Sequence, residues 1–409
     1  MLSFLEERRN GCKKPELLVR AEVTRRAFCL ELSKGRDVQR IHQSGINTLD
    51  IDPTEGKYLL SGGSMGVIAV FDIETVPAAK EVTCEAVCTV GRSNKHVHKR
   101  SVETVQWYPH DTGMFTSSST DCLLKVWDTN ALVPAETFTM DKPIYCHDMS
   151  PIATKHCLIG VASQSSHISL CDLKTGSPTH ILKGHRAAVM CVKWSPKQEF
   201  LLASGSQDNK LMLWDIRKAK GCLMALDQHN GEAVGHSSTA VRTAHSGHVN
   251  GLCFTEDGLR LLSYGTDDRL RLWDVVTGKN TLVNFGKVTN DGRKNVKLAV
   301  SSGAVPDAAF VPNTADVAVF DVQNGELVYD LKGHYSNVNC CTFHPLFQEV
   351  YSGGNDSNIL LWEPDEGRVV DRGEEKQVKQ KVRRQKPLRN TKMQVNIFHL
   401  RNSTCTCFF

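Results

Sequence analysis

Residues 201–215 read Leu201-Leu202-Ala203-Ser204-Gly205-Ser206-Gln207-Asp208-Asn209-Lys210-Leu211-Met212-Leu213-Trp214-Asp215. A short apolar run, a polar turn and a second apolar run ending in Trp-Asp make a hairpin of two buried strands. The ending recurs along the chain as apolar-aromatic-acid or a close variant: Val70-Phe71-Asp72, Val126-Trp127-Asp128, Leu170-Cys171-Asp172, Leu272-Trp273-Asp274, Val319-Phe320-Asp321 and Leu361-Trp362-Glu363. With Trp214-Asp215 that makes seven endings, at intervals of 56, 44, 43, 59, 47 and 42 residues. Gly-His pairs precede three of them, at Gly184-His185, Gly247-His248 and Gly333-His334.

Periods near 40–45 residues with Gly-His and Trp-Asp marks are the WD-repeat signature. Each unit is one small sheet, and seven of them closed in a ring form an all-β, seven-bladed propeller. A finer spacing supports this. In the units ending at Trp127, Trp214, Trp273 and Trp362 an Asp lies six residues before the Trp (Asp121, Asp208, Asp267, Asp356), with a Ser four before each Asp (Ser117, Ser204, Ser263, Ser352). Adding His98, His185, His248 and His334 completes four Asp–His–Ser–Trp sets. Such sets resemble hydrolase triads in content. Four copies, each locked under a tight turn, read instead as structural networks, because buried polar groups need partners. The unit ending at Phe71 has Ser61 but Met65 where the Asp belongs, and the units ending at Cys171 and Phe320 lack the set.

Composition narrows the function classes. With 40% apolar and 23% charged residues over 409 positions, the chain is that of an ordinary globular protein. No apolar run approaches the ~18 residues of a membrane helix, and Met1 to Arg9 is too short a core for a secretory signal. The expected compartment is therefore intracellular, with most of the 15 cysteines present as buried thiols. Charge is uneven. From Asp365 onward 11 Lys or Arg face 5 Asp or Glu, while the other 364 residues hold 38 against 40. Any nucleic-acid affinity would sit in that tail, and no sequence-specific nucleic-acid binding is expected of the body.

Three local patterns suggest chemistry and fail on context. Gly62-Gly63-Ser64-Met65-Gly66 matches a nucleophile elbow, but strand-like Val67 to Phe71 follows where a helix is required. Cys84, Cys88, His96 and His98 have spacings that zinc tolerates. His98 already serves a blade, however, and the cysteines read as core thiols on one strand face. The triad-like sets are the third. No catalytic, metal or cofactor residue is assigned, and no phosphate-binding glycine loop occurs.

Strand polarity assigns faces. Gly-His and the turns between strands b and c lie on one face, here called the top, and each Trp-Asp ends at the bottom. Val38-Gln39-Arg40-Ile41-His42 aligns with the outer strand Val328-Tyr329-Asp330-Leu331-Lys332, so residues 38–41 are expected to close the last blade. The expected boundaries are 1–35 for an N-terminal helical segment, 36–364 for the propeller and 365–409 for a basic, disordered tail. Ser3 and Glu6 have capping-box spacing, Gly11 can stop that helix, and Pro15 suits a second start with Leu17, Leu18 and Ala21 on one side. Leu2, Phe4 and Leu5 form a compact apolar anchor for a partner. Residues around His229 to His245 enlarge one top loop, and Lys376 to Arg389 form a basic run.

Ser101-Val102-Glu103-Thr104-Val105-Gln106-Trp107-Tyr108-Pro109-His110-Asp111-Thr112-Gly113, with Arg36-Asp37-Val38 and Ile46-Asn47-Thr48-Leu49-Asp50-Ile51, resembles the Cockayne syndrome group A family over roughly residues 1–364. That resemblance implies a substrate receptor of a nuclear cullin-RING ubiquitin ligase, acting in transcription-coupled nucleotide excision repair at stalled RNA polymerase II with the Cockayne syndrome group B protein. It implies that the N-terminal helices and the Trp214-Asp215-Ile216-Arg217 box hold the ligase's propeller adaptor, the large subunit of the damaged-DNA-binding protein. Adaptor-binding residues on this reading are Leu2, Phe4, Leu5, Leu17, Leu18, Trp214, Asp215 and Arg217. Two features depart from the family: Met65 stands in place of an acid, and the tail is basic and ends Cys405-Thr406-Cys407-Phe408-Phe409. The competing reading is a generic propeller scaffold with no ligase link.

Overall fold

The computed structural model describes residues 6–365 apart from 7–8, 12–13, 75–81, 219–220, 232–241 and 293. Leu2, Phe4 and Leu5, the basic tail and most of the enlarged top loop therefore lie outside the described residues. The remainder is a ring of seven antiparallel sheets. Blade 1 sets the pattern, with strands a to d at Ile46–Ile51, Tyr58–Gly63, Ile68–Asp72 and Ala86–Val90. Strand a lines the central channel and strand d lies outside. Among the described residues, no helix is long and apolar enough to cross a membrane.

Alternation explains each blade. Strands a to c bury both faces because neighbouring blades sandwich them, so they read as continuous apolar runs, whereas strand d at Ser177–Lys183 is exposed except at Leu182. All six tryptophans are buried. Six turns between strands b and c place one residue in the left-handed region: Gly66, Cys122, Asn209, Asp268, Thr314 and Ser357. At Gly66 only glycine fits, since a Cβ would meet the His98 carbonyl oxygen at 2.2 Å.

Neighbouring blades are stitched along the channel by side chains from strand a. Asp50 accepts from the Trp107 amide at 3.0 Å, Gln106 from the Met149 amide at 2.8 Å, and Asp148 from the Trp194 amide at 2.7 Å. Each bond spans adjacent blades and satisfies a backbone N–H that the sheet leaves over. Blade 5 is the irregular one. It has three strands, Val249–Phe254, Arg260–Gly265 and Arg269–Asp274, and only a bridge from Trp273 to Asn280 where strand d would lie.

Closure is made by the N-terminal segment, but not by residues 38–41. Leu30–Leu32 pairs antiparallel with Ile359–Pro364, in the register Leu30 to Pro364, Glu31 to Glu363 and Leu32 to Trp362. Arg36–Val38 instead makes a short parallel ladder with Val82–Cys84. The reason is packing. Phe28 and Leu30 are buried with Phe310, Leu331 and Trp362, while Val38 is buried in another cluster beside Cys84, with Ile41 packed against it. Arg36 holds the join by ion pairs to Glu363 at 2.6 Å and to Glu349. The ring therefore begins before residue 36. Cys84 and Cys88, expected on one strand face, belong to separate ladders: Cys84 beside Val38 and Cys88 beside Val70.

This closure is testable. Glu31→Pro removes a ladder donor from the closing strand, and the melting temperature should fall by the equivalent of about 3 kcal/mol. Melting unchanged from wild type would show that the ring closes elsewhere.

Candidate functional site

The four polar networks form as their spacing demands, with one substitution. In blade 2, Trp127 Nε1 donates to Ser117 Oγ (2.7 Å), Ser117 contacts His98 Nε2 (2.7 Å), and His98 Nδ1 contacts Asp121 (2.9 Å). Blade 4 repeats this through Trp214, Ser204, His185 and Asp208, and blade 7 through Trp362, Ser352, His334 and Asp356. In blade 5 the histidine is His245, not His248. His245 bonds Asp267 at 2.8 Å and Ser263 at 2.7 Å, and Trp273 Nε1 donates to Ser263 at 2.8 Å. His248 contacts the Gln207 carbonyl instead, at 2.8 Å. The signal was in the sequence. His98, His185, His245 and His334 each precede the first residue of strand a by four, and His248 precedes it by one. The missing glycine before His245, where Ala244 stands, hid it.

The same spacing finds a histidine that the motif reading missed. His42 lies four before Ile46, and its Nε2 meets Ser61 Oγ at 2.7 Å. With Met65 in place of the acid, nothing offsets burial, which pushes His42 down to about 4. Asp208 shows the opposite balance. Burial would raise it, but His185 and the backbone N–H groups of Arg186 and Lys210 hold it down to about 2. All four network serines are fully buried between a tryptophan donor and a histidine. A nucleophile needs access to substrate, and these hydroxyls have none. Among the described residues no group of His, Cys, Asp or Glu has metal-binding geometry.

The bottom face has the character of a docking surface. Helix α1 (Pro15–Ala27) begins with Pro15 in its first turn and ends against blade 6. There Val23 packs beside Ala27 and Phe310, and the Thr24 hydroxyl exchanges hydrogen bonds with the backbone of Val305 in the a–b turn. Leu17 is 61% and Val19 63% exposed, while Leu18 is half-buried. Arg217 follows strand c of blade 4. Its guanidinium is held by Asp215 at 2.9 and 3.0 Å and lies over the Phe200 ring at 4.7 Å. The Arg217 side chain is 64% exposed, and hydrogen bonding from Arg217 lowers the Asp215 carboxyl. Trp214 itself is fully buried and belongs to the blade, not to the surface. The two expected docking features share the bottom face but sit beneath different blades, so one partner touching both must span the ring.

Exposed apolar side chains also concentrate there. Ile152, Leu259, Val305 and Leu346 occupy a–b turns, and Val133, Val276 and Leu327 stand at or next to c–d turns; all seven are exposed at the bottom. Among the described residues, the top-face turns expose only Met65 and Tyr335 of comparable size.

The comparisons agree with this architecture. The family model described as WD domain, G-beta repeat matches residues 91–128, 176–215, 236–274 and 325–363. The chain is 34% identical to WD repeat-containing protein ATCSA-1 of Arabidopsis thaliana, over 91% of this chain and 96% of that protein. Partial similarity extends to Radiation-sensitive protein 28 of Saccharomyces cerevisiae (26%, covering 44% of this chain and 39% of that one). It also reaches the Ribosome biogenesis protein WDR12 homolog of Drosophila persimilis (30%, covering 50% and 48%). The class is thus a WD-repeat propeller, a fold that typically serves as a non-catalytic interaction scaffold. Within it, the chain belongs to the family that ATCSA-1 represents.

Two outcomes test the networks. Asp267→Ala removes the carboxylate that both His245 and Arg271 bond, which should cost on the order of 1–3 kcal/mol in thermal melting. His42 takes up its proton in the unfolded chain near 6.5 but in the folded one only near 4. Stability should therefore be complete above pH 6.5 and fall by about 1.4 kcal/mol per pH unit between 6.5 and 4 on account of this group. Denaturant titrations at pH 7 and 5 should show a smaller difference for His42→Gln than for wild type.

Proposed function

We propose that this chain is the substrate-recognition subunit of a nuclear cullin-RING E3 ubiquitin ligase in transcription-coupled nucleotide excision repair, and that it is not itself an enzyme. The propeller adaptor, the large subunit of the damaged-DNA-binding protein, docks on the bottom face. The top face receives repair and transcription proteins, with the Cockayne syndrome group B protein and the stalled RNA polymerase II complex as the expected partners.

The observation that carries this reading is the concentration of exposed apolar residues at the bottom turns, the face that also carries α1 and Arg217. Exposed apolar side chains gathered on one face of a protein point to an interaction surface. Full-length similarity to a CSA-named plant protein supports the ligase class over a scaffold for ribosome assembly or splicing, whose relatives match only about half of the chain. An adaptor in this role needs an apolar anchor and a directional polar contact at its edge, and Leu17 with Val19 and Arg217 supply both.

Titration calorimetry with purified adaptor tests it. Leu17→Asp should weaken binding severely, because the interface would bury an unpaired carboxylate. Arg217→Ala should weaken it less, by about tenfold, the loss of one charged hydrogen bond. Neither should change the melting temperature of the isolated chain. Tight binding retained by the double variant would reject the docking model and favour the generic scaffold.

A further inference from the structure

The long connection from blade 5 to blade 6 does not stay on the rim. The Asn290 amide donates to Asp268, the Val296 amide to the Asn250 carbonyl, and Lys297 bridges to strand a of blade 7 at Cys340. The connection thus crosses the top mouth of the channel. Lys294 reaches the far side, where its Nζ meets Glu103 of blade 2 at 2.7 Å and Ser101 at 3.2 Å. Between this strap and blades 1, 2, 5, 6 and 7 lies a cavity of about 260 Å³.

Two asparagines of the cavity wall, Asn47 and Asn339, have spent their donors and kept their acceptors. Asn47 is 8% exposed, and its amide N–H groups go to Ser101 Oγ at 2.8 Å and the Val102 carbonyl at 2.7 Å. Those of Asn339 go to the Ile46 carbonyl and to Asn355 Oδ1, both at 2.8 Å. Among the described residues, neither side-chain carbonyl has a protein donor. Glu103 is 3% exposed, with one oxygen engaged by Lys294, and Asp291 adds a carboxylate at the rim. Among the described lining residues the charges are two negative and one positive. An anionic guest would face Glu103 and Asp291, and an apolar one would strip water from bare carbonyls without replacing it.

We propose that the top mouth of the channel is a binding site for an arginine side chain presented by an extended segment of a protein partner. A planar guanidinium carries five donors in a fixed fork and can meet Glu103, Asn47 and Asn339 together, where a single ammonium cannot. Lys294 is the resident placeholder. It keeps Glu103 paired in the free protein, and its side chain, 47% exposed, has solvent to move into when the guest arrives. Met65, next to Ser64, and Tyr335, 91% exposed and two residues before Asn337, lie exposed on the same top face and would offer apolar contact to residues near the arginine.

The test uses the full chain alone, with no adaptor present, so it stands or falls independently of the ligase reading. The peptide Gly-Ser-Arg-Ser-Gly is titrated by ligand-observed NMR beside its citrulline and lysine counterparts. The arginine peptide should bind saturably and about tenfold more tightly than either, the worth of a charged hydrogen bond. Glu103→Gln should reduce binding by a similar factor, and Lys294→Ala should strengthen it by removing the competing cation. Asp291→Asn, a change at the exposed rim, should weaken it without altering the melting temperature, which keeps the result readable if the Glu103 variant is unstable. Citrulline or lysine binding as tightly as arginine overturns the proposal. So does absence of arginine binding in both wild type and Lys294→Ala.

Discussion

The ring depends on one join. Six blades complete themselves from consecutive sequence, five of them with four strands and blade 5 with three and a bridge, but blade 7 has only three strands of its own and borrows its fourth from Leu30–Leu32. Without that strand the edge of Ile359–Pro364 would be open to other chains, and opposite ends of the sequence would not be tied. Because the borrowed strand runs antiparallel to a strand descending from the top, it must enter from below. The position of α1 follows from that. Burial of Phe28 and Leu30 and the ion pairs of Arg36 then hold the join.

The two faces differ for a related reason. Turns between strands b and c must satisfy an Asp and several backbone donors over a buried histidine, so they are polar and rigid. The a–b and c–d turns at the bottom are tied by short-range Asp and His bonds to their own backbone N–H groups, and several of their apolar side chains stay exposed. Ile152, Leu259 and Leu346 are exposed there.

Blades that lack the polar set are held in other ways. Blade 3 is fastened to its neighbours: His147, pushed down to about 3 by burial and by Lys297 and Lys193, bonds Thr116 and Ser118 of blade 2, while Asp148 takes Lys193 and the Trp194 amide of blade 4. Blade 6 leans on apolar packing, with Phe310 stacked on Phe343 of blade 7 and Phe320 edge-on to Phe285. Across the channel Lys297 pairs with Asp50 of blade 1 at 2.9 Å.

By itself the sequence determined the repeat, its count, the polarity of each strand and the role of the Asp, Ser and Trp positions. These are local quantities: a period, an alternation and fixed spacings within one hairpin, all of which strand geometry makes legible. What depended on distant residues was decided only in three dimensions. Leu30–Leu32 outcompeted 38–41 as the closing strand because its neighbour Phe28 finds a pocket beside Phe310, some 280 residues away. His245 displaced His248 because reach to Asp267 and Ser263, not adjacency to glycine, selects the network histidine. The acceptor-lined mouth of the channel is assembled from residues of blades 1, 2, 5, 6 and 7 and from the strap. No spacing along the chain encodes it, because only closure of the ring brings Asn47, Glu103 and Asn339 to one wall.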